Sequence, residues 1–164
     1  MIPFDMIDDI DLEPEPTIYP KQFDMITDTI AVGSLYSSYD SFQLIVNMAY
    51  RYDGDGFGKH MITHSIENGK KIIRVGIHDT PSEPLDIILP ILIPMLEIYI
   101  QEHPTHRILI HCQAGMSRSA SVAIALLSRL YSISFDKAFK LVQQKRSIVQ
   151  PNQGFMKMLQ TYIG

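Results

Sequence analysis

The chain's only cysteine lies in the stretch His111-Cys112-Gln113-Ala114-Gly115-Met116-Ser117-Arg118-Ser119. An apolar run, Ile108-Leu109-Ile110, leads into it, and an arginine follows after five intervening residues. A nucleophile, a loop of small residues and a fixed cation thus sit together. That grouping suits holding a phosphate dianion and attacking its phosphorus. A thiol attacks only as the thiolate, and a free cysteine, with a pKa of about 8.5, is mostly protonated at neutral pH. If the loop after Cys112 opens a helix, the unpaired N–H groups and dipole at that helix start favour negative charge. Arg118 adds a full positive charge, so one field stabilises both thiolate and phosphate.

Gln113, Ala114, Gly115, Met116 and Ser117 give the backbone enough length to curl into a cradle whose amides face phosphoryl oxygens. Gly115 can take a positive φ where a side chain would clash. Arg118 can grip two oxygens with its planar fork, which lysine cannot reproduce. Ser119 is spaced to hydrogen-bond the Cys112 sulfur and ease its departure. The displaced oxygen needs a proton, and Asp79, on a loop after a strand, is the candidate general acid. It would then activate water against a thiophosphate intermediate. For this it must be protonated when substrate binds, which fits partial burial near the dianion. Asp79-Thr80-Pro81 reads equally well as a plain turn. A lone cysteine is often just a buried hydrophobe, but one between a strand and a helix, beside arginine, is not in the usual place for that. His111 reads as a hydrogen-bonding residue that tunes Cys112. No second cysteine or paired histidine accompanies it to suggest a metal site. The two-step route asks for no metal and no cofactor.

The elements that must position these groups are legible in the hydrophobic pattern. Thr27 to Val32, Leu44 to Asn47, Ile72 to Ile77 and Arg107 to His111 read as short apolar strands. Leu85 to Glu102 reads as a helix that Pro90 and Pro94 should shorten or kink. Ser117 to Tyr131 is apolar nearly all round and belongs in the centre of the domain. Ser134 is a plausible N-cap for a helix carrying Phe135, Ala138, Phe139 and Val142. After Pro151, Phe155, Met158, Leu159 and Tyr162 repeat that spacing. Apolar strands separated by helices imply an α/β domain with a mostly parallel sheet flanked by helices on both faces. Ligands bind beyond the carboxyl ends of such strands, where Cys112 would lie.

The length, 164 residues, fits one domain. Residues 1–20 form an acidic arm with six Asp or Glu and no Lys or Arg, although Ile2, Phe4, Met6, Ile7, Ile10 and Leu12 run through it. It reads as a solvated tail or as a docking segment. Residues 21–164 are expected to form the domain proper. Asp53 to Gly58 is a glycine-rich loop whose twelfth position, His64, rules out a calcium loop. No basic face or aromatic array suggests nucleic acid, and the most apolar window, Leu85 to Ile100, is too short and too broken for a membrane span. The N-terminus lacks the pattern of a signal peptide. With a single cysteine, this fits a reducing compartment, so a cytoplasmic protein with possible nuclear entry is expected.

His111-Cys112-x-x-Gly115-x-Ser117-Arg118-Ser119-Ala120 resembles the phosphate loop of dual-specificity protein phosphatases, within the cysteine-based protein tyrosine phosphatases. Ile30-Ala31-Val32-Gly33-Ser34 and Leu44-Ile45-Val46-Asn47 resemble that family's first core strands. Asp79 falls about where its general acid stands. Ala138 to Arg146 and Pro151-Asn152-Gln153-Gly154-Phe155 resemble its C-terminal helices and the turn between them, and the likeness implies that Asn152 braces the phosphate loop. The two prolines of Leu85–Glu102 and the acidic arm depart from the pattern. The resemblance implies a small stand-alone enzyme acting on phosphotyrosine, phosphoserine and phosphothreonine. The loop has no lysine of the kind found in phosphoinositide-specific relatives, so a phosphoprotein substrate leads. The alternatives are a catalytically weak phosphoprotein-binding module, or a phosphatase for lipid, RNA or carbohydrate phosphate. Met116, Tyr50, Tyr52 and the Gly54–Gly58 loop are candidates for the pocket rim.

Overall fold

In the computed structural model the chain is described over residues 22–51 and 58–164. The acidic arm, Tyr52 and the glycine-rich stretch up to Phe57 lie outside the described residues. Six strands form one sheet: β1 (Phe23–Met25), β2 (Ile30–Gly33), β3 (Leu44–Asn47), β4 (Ile62–Glu67), β5 (Lys70–Val75) and β6 (Ile108–His111), in the order β1-β2-β6-β3-β5-β4. The four central strands, β2, β6, β3 and β5, are mutually parallel, and β1 and β4 close the edges antiparallel. The strand predicted from Thr27 to Val32 begins only at Ile30, as β2. Thr27 Oγ1 accepts from the N–H groups of Thr29 and Ile30 and folds that segment into a turn.

Four helices follow the pattern closely: α1 (Leu85–Glu102), α2 (Arg118–Tyr131), α3 (Phe135–Lys145) and α4 (Gln153–Ile163). The prolines do not shorten α1, which runs unbroken through both. Pro90 and Pro94 are four residues apart and both exposed. Their missing N–H groups would have bonded the carbonyls of Asp86 and Pro90, and both residues are on the exposed side, where water can hydrate those carbonyls. Leu85, Ile88, Leu89, Leu92, Ile93 and Leu96 hold the other side in the core. No helix among the described residues is long and apolar enough to cross a membrane.

Alternation along the strands splits the core in two. Ile30, Val32, Leu44, Val46, Ile73, Val75, Ile108 and Ile110 face the cluster that holds the buried side chains of all four helices. Ala31, Ile45, Ile72 and Leu109 point the other way. Among the described residues the second face is covered by Phe42, Tyr39, Phe23 and Met25. These aromatics, with Phe23 and Phe42 in edge-on contact, bury that face from loops and an edge strand.

Register decides where the site forms. Gly33 and Asn47 both lie abreast of His111, and Arg74 lies abreast of Asn47. Four parallel strands thus end at one level. β6, the last to be added in sequence, sits between β2 and β3, so the loop after it emerges at a topological switch point.

Candidate active site

The loops leaving those strand ends enclose a cleft of about 560 Å³. Leu35 comes from the loop after β2, and Ala49, Tyr50 and Arg51 from the one after β3. Ile77, His78 and Asp79 come from the loop after β5, and Gln113 and Arg118 from the loop after β6. Of the predicted rim, Tyr50 lines the cleft, and Met116 is 41% exposed but is not part of its wall.

The loop Gln113–Ser117 is built by fixing its carbonyls away from that centre. The Gln113 carbonyl accepts from the Leu35 N–H, and the Met116 carbonyl from the Gln150 N–H. The Ser117 carbonyl accepts from both the N–H and the hydroxyl of Ser121. Arg146 takes the two between: its Nη2 donates to the Ala114 carbonyl at 3.0 Å and its Nε to the Gly115 carbonyl at 2.9 Å. Every carbonyl from 113 to 117 is therefore engaged by another part of the fold. Buried backbone groups must be paired, and with the acceptors spoken for, the amides are what the loop has left for an anion. Gly115 makes this curl possible. Its φ is +68°, and a Cβ there would come within 2.7 Å of Gly33 backbone and of Arg146.

Arg146 was not singled out from sequence, although it is the largest fully buried side chain among the described residues, 2% exposed at the C-cap of α3. Its Nη1 also pairs with the Asp24 carboxylate of β1 at 2.9 Å. An arginine after an amphipathic helix looks like a solvated end. Among the described residues, three acceptors from two distant segments hold it buried, and no local pattern carries that.

Cys112 follows β6 and is 3% exposed, yet its sulfur is not sealed in hydrocarbon. The Gly115 N–H donates to Sγ at 3.3 Å, and Ser119 Oγ lies 3.1 Å from it. Both suit a sulfur that carries charge. Arg118 opens α2, whose first turn has no acidic residue to offset the positive helix end. Its Nη1 donates to the Ile77 carbonyl at 3.1 Å, which ties the β5 loop to the phosphate loop. Its Nε is buried without a partner among the described residues.

His111 is fully buried, and burial pushes its pKa below the ordinary histidine value, with the Cys112 carbonyl opposing weakly. The neutral ring satisfies both its neighbours in one tautomer. Nδ1–H faces the Cys112 carbonyl at 3.4 Å, and Nε2 accepts from the Tyr39 hydroxyl at 2.7 Å. Burial raises the Tyr39 pKa, which keeps that hydroxyl a donor. A stability trend follows. Below about pH 6.5 the unfolded chain protonates His111 while the folded chain resists, so this residue lowers stability as pH falls through that value and costs nothing above it. Thermal melts from about pH 7.5 to about pH 5 should show a shallower loss of Tm in His111→Gln than in the native chain. Equal slopes would remove His111 from the account.

Asp79 and Asn152 meet. Asn152 Nδ2 donates to Asp79 Oδ1 at 2.8 Å, while Asn152 Oδ1 caps α4 by accepting from the Phe155 N–H. The Asn152 N–H itself donates to Ser117 Oγ at 3.0 Å. Asn152 thus contacts the phosphate loop through its main chain and divides its side chain between Asp79 and the start of α4. Asp79 is exposed, so the partial burial expected for it is not present. Its loop stands at the cleft edge, with one face open to water.

The family model for the dual specificity phosphatase catalytic domain matches residues 36–163, which span β3 to α4 and both sides of the cleft. The chain belongs to this family. A relative of similar size is the putative tyrosine phosphatase 123R of Invertebrate iridescent virus 6, 37% identical over 109 residues that cover 66% of this chain and 77% of that protein. The protein phosphatase Slingshot homolog of Xenopus laevis is 50% identical over 62 residues, 38% of this chain but only 9% of that protein's length. The chain therefore corresponds to a small part of some curated relatives. Among solved structures, human DUSP28 superposes with a TM-score of 0.70 at 26% identity, covering 87% of this chain and 93% of that one. The dual-specificity phosphatase fold thus accounts for the single α/β domain and, among the described residues, its six-stranded mostly parallel sheet and four helices.

Proposed function

We propose that this chain is a protein phosphatase that hydrolyses phosphotyrosine and phosphoserine or phosphothreonine through a cysteinyl-phosphate intermediate. The catalytic domain runs over residues 21–164 and the acidic arm over 1–20. The observation that carries this reading is the outward engagement of all five loop carbonyls around one sulfur. It leaves a ring of amides preorganised for the equatorial oxygens of a transferring phosphoryl group.

In the first step the Cys112 thiolate attacks phosphorus and the P–O bond to the substrate breaks. Asp79 supplies the proton that the leaving oxygen takes. Loop amides and Arg118 hold the three remaining oxygens. In the second step the Asp79 carboxylate takes a proton from water, whose oxygen bonds to phosphorus as the P–S bond breaks. Ser119 Oγ donates to the departing sulfur and inorganic phosphate is released. Asn152 is a positioning residue that keeps Asp79 beside the loop. The apolar wall of Leu35, Ala49, Tyr50 and Ile77 suits the ring of a phosphotyrosine and equally the short arm of a phosphothreonine. A reducing compartment such as the cytoplasm, and a role in phosphoprotein signalling, accord with a single thiol nucleophile.

Asp79→Asn tests the assignment against leaving group. For substrates whose leaving oxygen needs a proton, kcat should fall by about 10² or more. For an aryl phosphate with a strongly acidic phenol the loss should be far smaller, because that phenolate leaves unaided. Assays of phosphate release in chelator, across phenols of graded acidity, read the difference. Equal losses at every acidity would remove Asp79 from the role of acid. Phosphopeptide binding with no release by the native chain would instead favour the binding-module reading.

A further inference from the structure

The cleft carries a second cation that the reaction above does not use. Arg51 lines it together with Arg118. It is exposed, and none of the ion pairs among the described residues includes it. Its position is set by register. Asn47, four residues earlier, ends β3 abreast of His111, the residue before Cys112. The Met48 N–H then donates to the His111 carbonyl at 2.8 Å, which fixes the start of the Ala49-Tyr50-Arg51 segment against the strand that feeds the phosphate loop. A cleft of about 560 Å³ also offers more room than one phosphorylated side chain fills. Asp79, the acid in the same wall, already accepts from the Asn152 amide. The cleft is thus cationic at two places, and the phosphate loop accounts for one.

We propose that Arg51 is a specificity-determining residue that binds a second anionic group on the substrate, next to the phosphorylated residue. This rests on the phosphatase reading and narrows it to phosphopeptides with an acidic flank. The anion can be a carboxylate or a second phosphoryl group, since a guanidinium fork accepts either.

The test compares phosphopeptides that differ only beside the phosphorylated residue, with glutamate, a second phosphoserine, or glutamine placed at successive positions on either side. The native chain should turn over the best anionic peptide with a kcat/KM about tenfold above its glutamine counterpart, mainly through KM, and this advantage should shrink as salt rises. Arg51→Gln should bring the ratio close to one, and Arg51→Lys should keep part of it. The carboxylate and phosphoserine arms show which anion is preferred. A native ratio near one at every position, or a ratio unchanged in Arg51→Gln, overturns the proposal. The same peptides are titrated calorimetrically against the Cys112→Ser chain and against that chain also carrying Arg51→Gln. Were no peptide hydrolysed, the phosphatase reading would fail, and the ratio of affinities would still decide for or against Arg51.

Discussion

Cys112→Ser is expected to lower turnover of any phosphomonoester by about 10⁴ or more, leaving phosphate binding intact. The reason is local. A serine hydroxyl is a poor nucleophile without a base to take its proton, and the groups around Sγ are a backbone N–H and a serine hydroxyl. Neither accepts a proton at neutral pH. The cradle, by contrast, does not depend on sulfur. The carbonyls from 113 to 117 are held by Leu35, Arg146, Gln150 and Ser121, so the amides keep their direction in the variant. Steady-state rates on an aryl phosphate, set beside calorimetric binding of a phosphopeptide, separate the two effects. Normal turnover in the variant would falsify the nucleophile assignment. Loss of binding together with turnover would mean that the sulfur holds the loop in shape.

The second large effect is expected at a residue that never touches substrate. Arg146→Met should lower stability by about 3 kcal/mol or more, because it removes a buried guanidinium that pairs the Asp24 carboxylate and two loop carbonyls. For a domain of this size that corresponds to a drop in Tm of roughly 10 °C. Activity should fall as well, with kcat/KM down by about 10² even where the variant is folded, since the Ala114 and Gly115 carbonyls become free to turn toward the phosphate. Circular dichroism melts measure the first quantity and rates well below the new Tm the second. Arg146→Lys discriminates further. One ammonium cannot serve three acceptors in two directions, so lysine should recover part of the stability and little of the rate. A variant that melts early but works normally would make Arg146 a purely structural residue.

Much of the domain is legible from the chain because its strongest signals are local. Leu44-Ile45-Val46 is an unbroken apolar run and, with Asn47 at its end, is the strand it reads as. Ser134 accepts from the Lys137 N–H at the start of α3, as a cap residue before an apolar repeat should. Leu85–Glu102 has the predicted bounds, and only the effect of its prolines differs. A proline breaks a helix when the orphaned carbonyl is buried, and burial is a tertiary property. The edge strands β1 and β4 escape a reading by apolar runs. Phe23–Met25 is three residues long, and Ile62–Glu67 contains His64, Ser65 and Glu67, because one side of an edge faces water. What covers each face could not be judged from pattern either. Alternation reveals that two faces are apolar, not whether helices or aromatic loops cover them.

The site divides in the same way. Cys112, Gly115 and Arg118 belong to one stretch of the chain, so their spacing already brings a thiol, a small-residue loop and a cation together, and Gly115 has the positive φ that the curl needs. What the cradle leans on is remote in sequence. Arg146 is reached across 31 residues and Asp24 across 122, and the Asp79–Asn152 bond spans 73. Asp79 also proves to be exposed, which spacing could not foretell. Chain connectivity fixes the geometry of groups a few bonds apart, and that much the sequence determined by itself. Groups that must cross the molecule to meet are brought together by the packing of the sheet and helices, and only the tertiary structure decides which of them do.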